Sequence, residues 1–200
     1  ARAHASLGSV LILAAMAPVA LWAIGGLEAP LALLLTTLGF FATGKALAER
    51  DERMGLSACR LAGGAFALLA WTRPDGPLWA AMAWLAIAAF GRTGPVGEQA
   101  VLRRRLLALG LPVLVAVAAQ LSFRLAYYGD WLPNTAYIKL GLTPDRFIQG
   151  LAYVGGGARR LAPLLLPAAA GLIAGIGEAR DRRRAWLLVV PLVVLCAYVA

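Results

Sequence analysis

Charge is scarce in this chain. Asp, Glu, Lys and Arg make up 14% of its 200 residues, against about a quarter in an ordinary soluble domain. Apolar side chains make up 61%, and the mean hydropathy is +0.75. Acids are the scarcer sign, ten against nineteen basic residues, for a net charge of +9. That excess does not read as a nucleic-acid surface, because the arginines cluster between apolar runs, as they do around membrane spans. Cysteine is limited to Cys59 and Cys196, in or beside apolar runs and with no CxxC spacing. This excludes a disulfide framework or a thiolate metal centre and leaves packing roles. The single histidine, His4, has no neighbour with which to ligate a metal. Sustained alternation at period two is also missing, which excludes an outer-membrane barrel.

What fills the chain instead is Leu, Ala and Val in long runs, near 7–24, 30–46, 57–71, 77–91, 106–123, 161–177 and 185–200. A crossing helix needs about 20 such residues, with a range of about 17–25. The expected fold class is all-α: one polytopic transmembrane bundle over 1–200 with about seven spans. The runs 57–71 and 77–91 are short, and two full crossings are expected because the flanking basic loops then share a side. With no initiator Met, no cleavable signal peptide and an end at Val199-Ala200 inside an apolar run, the chain is expected to be an internal stretch of a longer membrane protein.

Loop charge sets the expected orientation. Thirteen basic residues fall on one set of connections: Arg2; Lys45, Arg50, Arg53 and Arg60; Arg92, Arg103, Arg104 and Arg105; Arg180, Arg182, Arg183 and Arg184. Six fall on the other set: Arg73, Arg124, Lys139, Arg146, Arg159 and Arg160. The two sets alternate, and the richer side is expected to be cytoplasmic. Three segments with polar turn chemistry then share the outer side.

The first is Gly25-Gly26-Leu27-Glu28-Ala29-Pro30. Glu28 either lines a polar cavity or simply starts the next helix with Pro30, where an acid suits the positive helix end. The second is Thr72-Arg73-Pro74-Asp75-Gly76. Pro74 ends one helix and Asp75 is expected to N-cap the next. Arg73, between two apolar runs, needs a carboxylate, carbonyls or a phosphate, or else snorkels to headgroups.

The third lies in the longest connection, an outer loop over 124–160: Arg124, then Tyr127-Tyr128-Gly129-Asp130-Trp131-Leu132-Pro133-Asn134-Thr135-Ala136-Tyr137-Ile138-Lys139. Tyr127, Tyr128, Trp131 and Tyr137 suit an interfacial belt. Mixed with Arg124, Asp130, Asn134 and Lys139, they also suit a carbohydrate surface beside a phosphate. Phe147 to Arg160 reads as an interfacial helix with Ile148, Leu151 and Val154 on one side, broken by Gly155-Gly156-Gly157. Gly171 and Gly175 make a GxxxG pair, read as tight helix packing.

Taken together, the turns resemble the middle and rear of a GT-C-fold membrane glycosyltransferase, of the kind related to the actinobacterial terminal arabinofuranosyltransferases. The matching residues are Gly26-Leu27-Glu28, Thr72-Arg73-Pro74-Asp75-Gly76, and Arg124 with Tyr127-Tyr128-Gly129, Leu132-Pro133-Asn134-Thr135, Tyr137 and Lys139. The resemblance covers about 9–160. It implies a polyprenyl-phosphate sugar as donor, a glycan or lipid acceptor, and a site on the non-cytoplasmic face of a bacterial cell membrane. It implies a general base in an outer loop upstream of Ala1, so the present residues would form the second half of a site and be inactive alone. Within it, Arg73, Arg124 and Lys139 would meet the phosphate charge. Asp75, Asp130, Asn134, Tyr127, Tyr128 and Tyr137 would position sugars, and Glu28 would orient the acceptor or the base. The residues indicate no cofactor; a divalent metal is compatible with the implied chemistry. Membrane lipid is an expected partner and nucleic acid is not. The rival readings are a transporter or flippase-type permease, and a non-catalytic scaffold subunit. Both fit less well, since the ionisable groups sit at the ends of spans and three outer turns share polar residues.

Overall fold

A computed structural model describes residues 28–91, 98–131 and 148–160, with helical backbone also at 162 and 166. All regular structure among these residues is helical: α1 Ala29–Ala48, α2 Glu52–Thr72, α3 Gly76–Phe90, α4 Glu98–Tyr128, and a fifth helix over 148–160. α1, α2 and α4 are long and apolar enough to cross a membrane. The protein is therefore a helical membrane protein. The expected spans near 7–24, 161–177 and 185–200, together with His4, Cys196 and the Gly171/Gly175 pair, lie outside the described residues or fall there only in isolated positions.

Each helix begins and ends for a local reason. α1 starts on Pro30, whose fixed φ suits the first turn. Its last turn carries Lys45, favourable at the negative helix end. Thr36 and Thr43 donate back to the carbonyls of Ala32 and Gly39 at 2.7 and 2.8 Å, which satisfies these two hydroxyls within an apolar helix. α2 starts where the Asp51 carboxylate accepts from the Met54 N–H at 2.8 Å. That cap begins the helix five residues ahead of the apolar run at 57–71.

α2 is the hub. It packs most extensively against α1 and α4, with α3 laid against the group. Its buried face is Gly55, Ala58, Cys59, Ala62, Gly63, Phe66 and Leu69, spaced at three and four residues. Cys59 is buried here with its thiol unbridged, in the packing role expected of it. Large apolar residues point the other way: Leu34, Phe41, Leu68, Trp71, Leu111 and Leu114 are all exposed. Small residues inside and large ones outside is the pattern of helices packed in lipid, where close backbone approach replaces hydrophobic drive.

At Gly63 the backbones of α2 and α4 come close together. A Cβ there would stand 2.7 Å from the Leu109 carbonyl oxygen and 2.8 Å from that of Ala108. Pro112 lies inside α4 and has no N–H to offer the Ala108 carbonyl four residues back. The Cα hydrogens of Gly63 face the carbonyl that Pro112 leaves without its helical donor.

Two expectations about spans change. α3 has 15 residues, about 22 Å of helix, short of the ~30 Å hydrocarbon thickness, so 77–91 is not a full-length crossing. α4 has 31 residues, about 46 Å, and runs past both ends of 106–123. Arg124, Tyr127 and Tyr128 therefore belong to its final turns and not to a loop beginning at 124. In the fifth helix, Gly155, Gly156 and Gly157 are helical, so they do not break it as expected.

At one end of the bundle the basic residues gather. Arg105 is 5% exposed; its Nη1 and Nη2 donate to the carbonyls of Ala46 and Glu49 at 3.1 and 3.3 Å. It thereby closes the C-terminal end of α1, where the last carbonyls have no helical donor. Arg104 meets Glu52 at 3.0 Å on the surface nearby.

Candidate functional site

The opposite end carries Arg73. Its turn is built by backbone hydrogen bonds. Arg73 N–H closes α2 on the Leu69 carbonyl at 2.9 Å, and Gly76 N–H returns to the Arg73 carbonyl at 3.1 Å. Pro74 occupies the second position of that turn, where its ring already sets φ. Gly76 is required because a Cβ would strike the backbone of Leu69 and Ala70 at 2.6–2.7 Å. The turn is thus pressed flat onto the end of α2, and Arg73 and Asp75 are fixed in mutual reach.

Asp75 occupies the position before α3 but makes no side-chain cap bond. Its carboxylate is committed elsewhere. Oδ1 accepts from Arg73 Nε at 2.8 Å and Oδ2 from Trp79 Nε1 at 3.3 Å. The Asp75 side chain is 5% exposed, whereas that of Arg73 is 38% exposed. Trp79, one helical turn after Asp75, is in turn seated edge-on against Phe40 of α1, with centroids 6.0 Å apart, and Phe40 meets Phe66 of α2 at 5.4 Å. A chain of contacts therefore runs from the core through Trp79 and Asp75 to the guanidinium. Sequence reading missed Trp79; its signal was the i,i+4 spacing from a carboxylate on a helix start.

Glu28 comes to the same place from α1, 45 residues away in sequence. Its Oε1 is 3.8 Å from Arg73 Nη1, and its side chain is half exposed. It precedes α1 without making a cap bond of its own. Glu28 of the first polar segment is thus brought to the second turn, and the carboxylate that Arg73 needs is supplied twice; Gly25, Gly26 and Leu27 lie outside the described residues.

The described part of the third segment, Arg124 to Trp131, lies further out along α4. Trp71 Nε1 donates to the Ala116 carbonyl at 3.0 Å, which marks the level on α4 at which α2 ends. Arg124 lies eight residues further on, about 12 Å along the axis, and Tyr128 about 18 Å. Phe123 and Tyr127 are stacked, with centroids 5.6 Å apart and planes at 12°, and Tyr128 stands edge-on to Tyr127 at 4.7 Å. Tyr127, Tyr128 and Trp131 are all well exposed. Phe123, missed from sequence, was signalled by its i,i+4 spacing to Tyr127. Gly129 ends α4 at φ 68°, a conformation that favours glycine, with its N–H on the Leu125 carbonyl. Asn134, Tyr137 and Lys139 lie outside the described residues, and Asp130 is half-buried just past the helix end.

The arrangement offers a cation held by two carboxylates at the bundle end and, further out, an exposed aromatic cluster. Among the described residues no group of three or more His, Cys, Asp or Glu could hold a metal ion. No family model, curated protein or solved structure matches the chain, so the resemblance drawn from its turns rests on those residues alone.

Proposed function

We propose that the protein is a membrane glycosyltransferase that moves a sugar from a polyprenyl-phosphate donor to a glycan or lipid acceptor on the non-cytoplasmic side of a bacterial membrane. The observation that supports this best is the meeting of Glu28 and Asp75 on Arg73, at 3.8 and 2.8 Å, from turns far apart in sequence. The motif reading needs these turns in one site.

In the proposed reaction an acceptor hydroxyl attacks the anomeric carbon and gives its proton to a carboxylate. The bond from that carbon to the phosphate oxygen breaks, and the electron pair leaves with the polyprenyl phosphate. The leaving phosphate then carries the extra charge, and a guanidinium already in place meets it without reorganisation. Arg73 fills that role, with Arg124 and Lys139 as further cations. Asp75, buried with both oxygens engaged, is a positioning residue for Arg73 and not a sugar contact. Glu28, half exposed, remains able to orient an acceptor. Asn134, Asp130 and the tyrosines would hold sugar. The general base is assigned upstream, as the resemblance implies, and a divalent metal is compatible with this chemistry.

The test is transfer from radiolabelled polyprenyl-phosphate sugars in membranes carrying the full-length protein. Arg73→Ala is expected to lower transfer about 10²-fold or more at unchanged expression, the usual effect of removing one charge-stabilising donor. Wild-type transfer by Arg73→Ala would refute the phosphate role. No transfer by the wild type from any donor, with substrate accumulating in vesicles, would replace the reading with transport.

A further inference from the structure

An apolar groove of about 860 Å³ runs between α3 and α4. Its walls are carbon from Pro77 and Val117 at the Arg73 end, past Trp84 and Gly110 in the middle, to Gln99 and Arg103 at the basic end. Along α4 it extends from Gln99 to Val117, about 27 Å. Among the described residues it opens sideways, on a helix pair whose outer faces are apolar.

The three consecutive arginines near this groove have three different fates. Arg104 pairs with Glu52 at 3.0 Å. Arg105 turns inward onto the carbonyls of Ala46 and Glu49. Arg103 lines the groove, is exposed, and among the described side chains has no carboxylate partner. Beside it Gln99 adds an amide. A long carbon-walled channel with one cation and one amide at a single end has the polarity of a phospholipid. From Arg103 to Val117 the groove offers about 21 Å, more than the ~15 Å depth of one leaflet's half of the hydrocarbon layer.

We propose that the α3–α4 groove is a binding site for an anionic glycerophospholipid of the leaflet on the basic side. Its phosphate is held by Arg103 and Gln99, and its acyl chain lies along Trp84 toward Val117. The inference is independent of the transfer reaction proposed above and of the residues at the Arg73 end.

Trp84, 38% exposed in the groove wall, serves as the reporter. The full chain is reconstituted in phosphatidylcholine vesicles with increasing amounts of phosphatidylglycerol or phosphatidylcholine brominated on the acyl chain. The Trp84 signal is taken as the difference between wild type and Trp84→Phe. Half-maximal quenching is expected at about fivefold lower mole fraction of the anionic lipid, the factor given by ~1 kcal/mol per basic residue at an anionic surface. Arg103→Gln should abolish that preference while leaving the fold intact, because the side chain is exposed. Ala81→Phe, which fills the groove from its exposed wall, should reduce quenching by both lipids. Equal quenching by the two lipids in the wild type, or a preference that survives Arg103→Gln, would overturn the site in favour of unselective boundary lipid. A Trp84 shielded from both lipids would overturn it in favour of a protein segment seated in the groove.

Discussion

Gly63 and Gly64 are neighbours on α2, and alanine at each should move stability in opposite directions. At either site the change gains helix propensity, up to about 1 kcal/mol. At Gly64 nothing lies within 4 Å of the added carbon, so Gly64→Ala is expected to be neutral or stabilising by a few tenths to about 1 kcal/mol. At Gly63 the carbon would stand 2.7 and 2.8 Å from two backbone oxygens and 3.1 Å from the Leu109 Cα. These are main-chain atoms of α4 and cannot rotate aside. α2 and α4 must separate by several tenths of an ångström along this seam, at about 1–3 kcal/mol for such overpacking. The propensity gain is common to both variants and cancels in the comparison. Gly63→Ala should therefore be less stable than Gly64→Ala by about 1–3 kcal/mol. The assay is equilibrium unfolding of each variant by SDS titration in mixed micelles, followed by circular dichroism. Stabilities within 0.5 kcal/mol of each other would refute the close approach of α2 to α4 that organises the fold.

Two further outcomes follow from the ends of the helices. Arg105→Met removes the donors to the carbonyls of Ala46 and Glu49 at the end of α1 and should cost about 1–3 kcal/mol in the same titration; no loss would show that α1 ends without that latch. Gly129→Ala places a Cβ at φ 68° and should cost about 1 kcal/mol, confined to the last turn of α4. It would be read as faster amide exchange from Tyr127 to Gly129, with the core unchanged.

The sequence announced the apolar middle of each described span but not its limits. Hydropathy alone put the start of α2 at 57, because the signal that governs it is one carboxylate, Asp51, bonded to one amide. It shortened α4 because Arg103, Arg104 and Arg105 at one end and Arg124 to Tyr128 at the other are good or adequate helix residues that happen not to be oily. Gly155 to Gly157 read as a break, yet a weak helix former is not a prohibited one, and the backbone passes through them in helical form.

The site was legible in part. That Arg73 needs a carboxylate followed from the cost of a lone cation beside apolar runs. Which acids answer depends on how α1 and α2 pack, and that is a property of Gly and Ala stripes that a motif does not carry. Asp75 looked like a helix cap from its position. The structure gives both its oxygens to Arg73 and Trp79 instead, because a nearby guanidinium outcompetes backbone amides for a carboxylate. Arg105 was counted with the loop charges, and nothing in a run of three arginines says which one turns inward.

The shortness of α3 has a consequence for the membrane itself. A 15-residue helix falls about 8 Å short of an average hydrocarbon layer. Around α3 the bilayer must thin by that amount, or one end of the helix, at the Arg73 turn or at Gly91, must sit below the level of the phosphates. Either adjustment costs fractions of a kcal/mol per ångström, so the protein should prefer thin membranes and carry a dimple in the lipid beside it. A lipid-borne headgroup sliding into that dimple would descend toward Arg73 without leaving its own leaflet. Bilayer thickness thereby becomes a control on how readily this end of the bundle is reached.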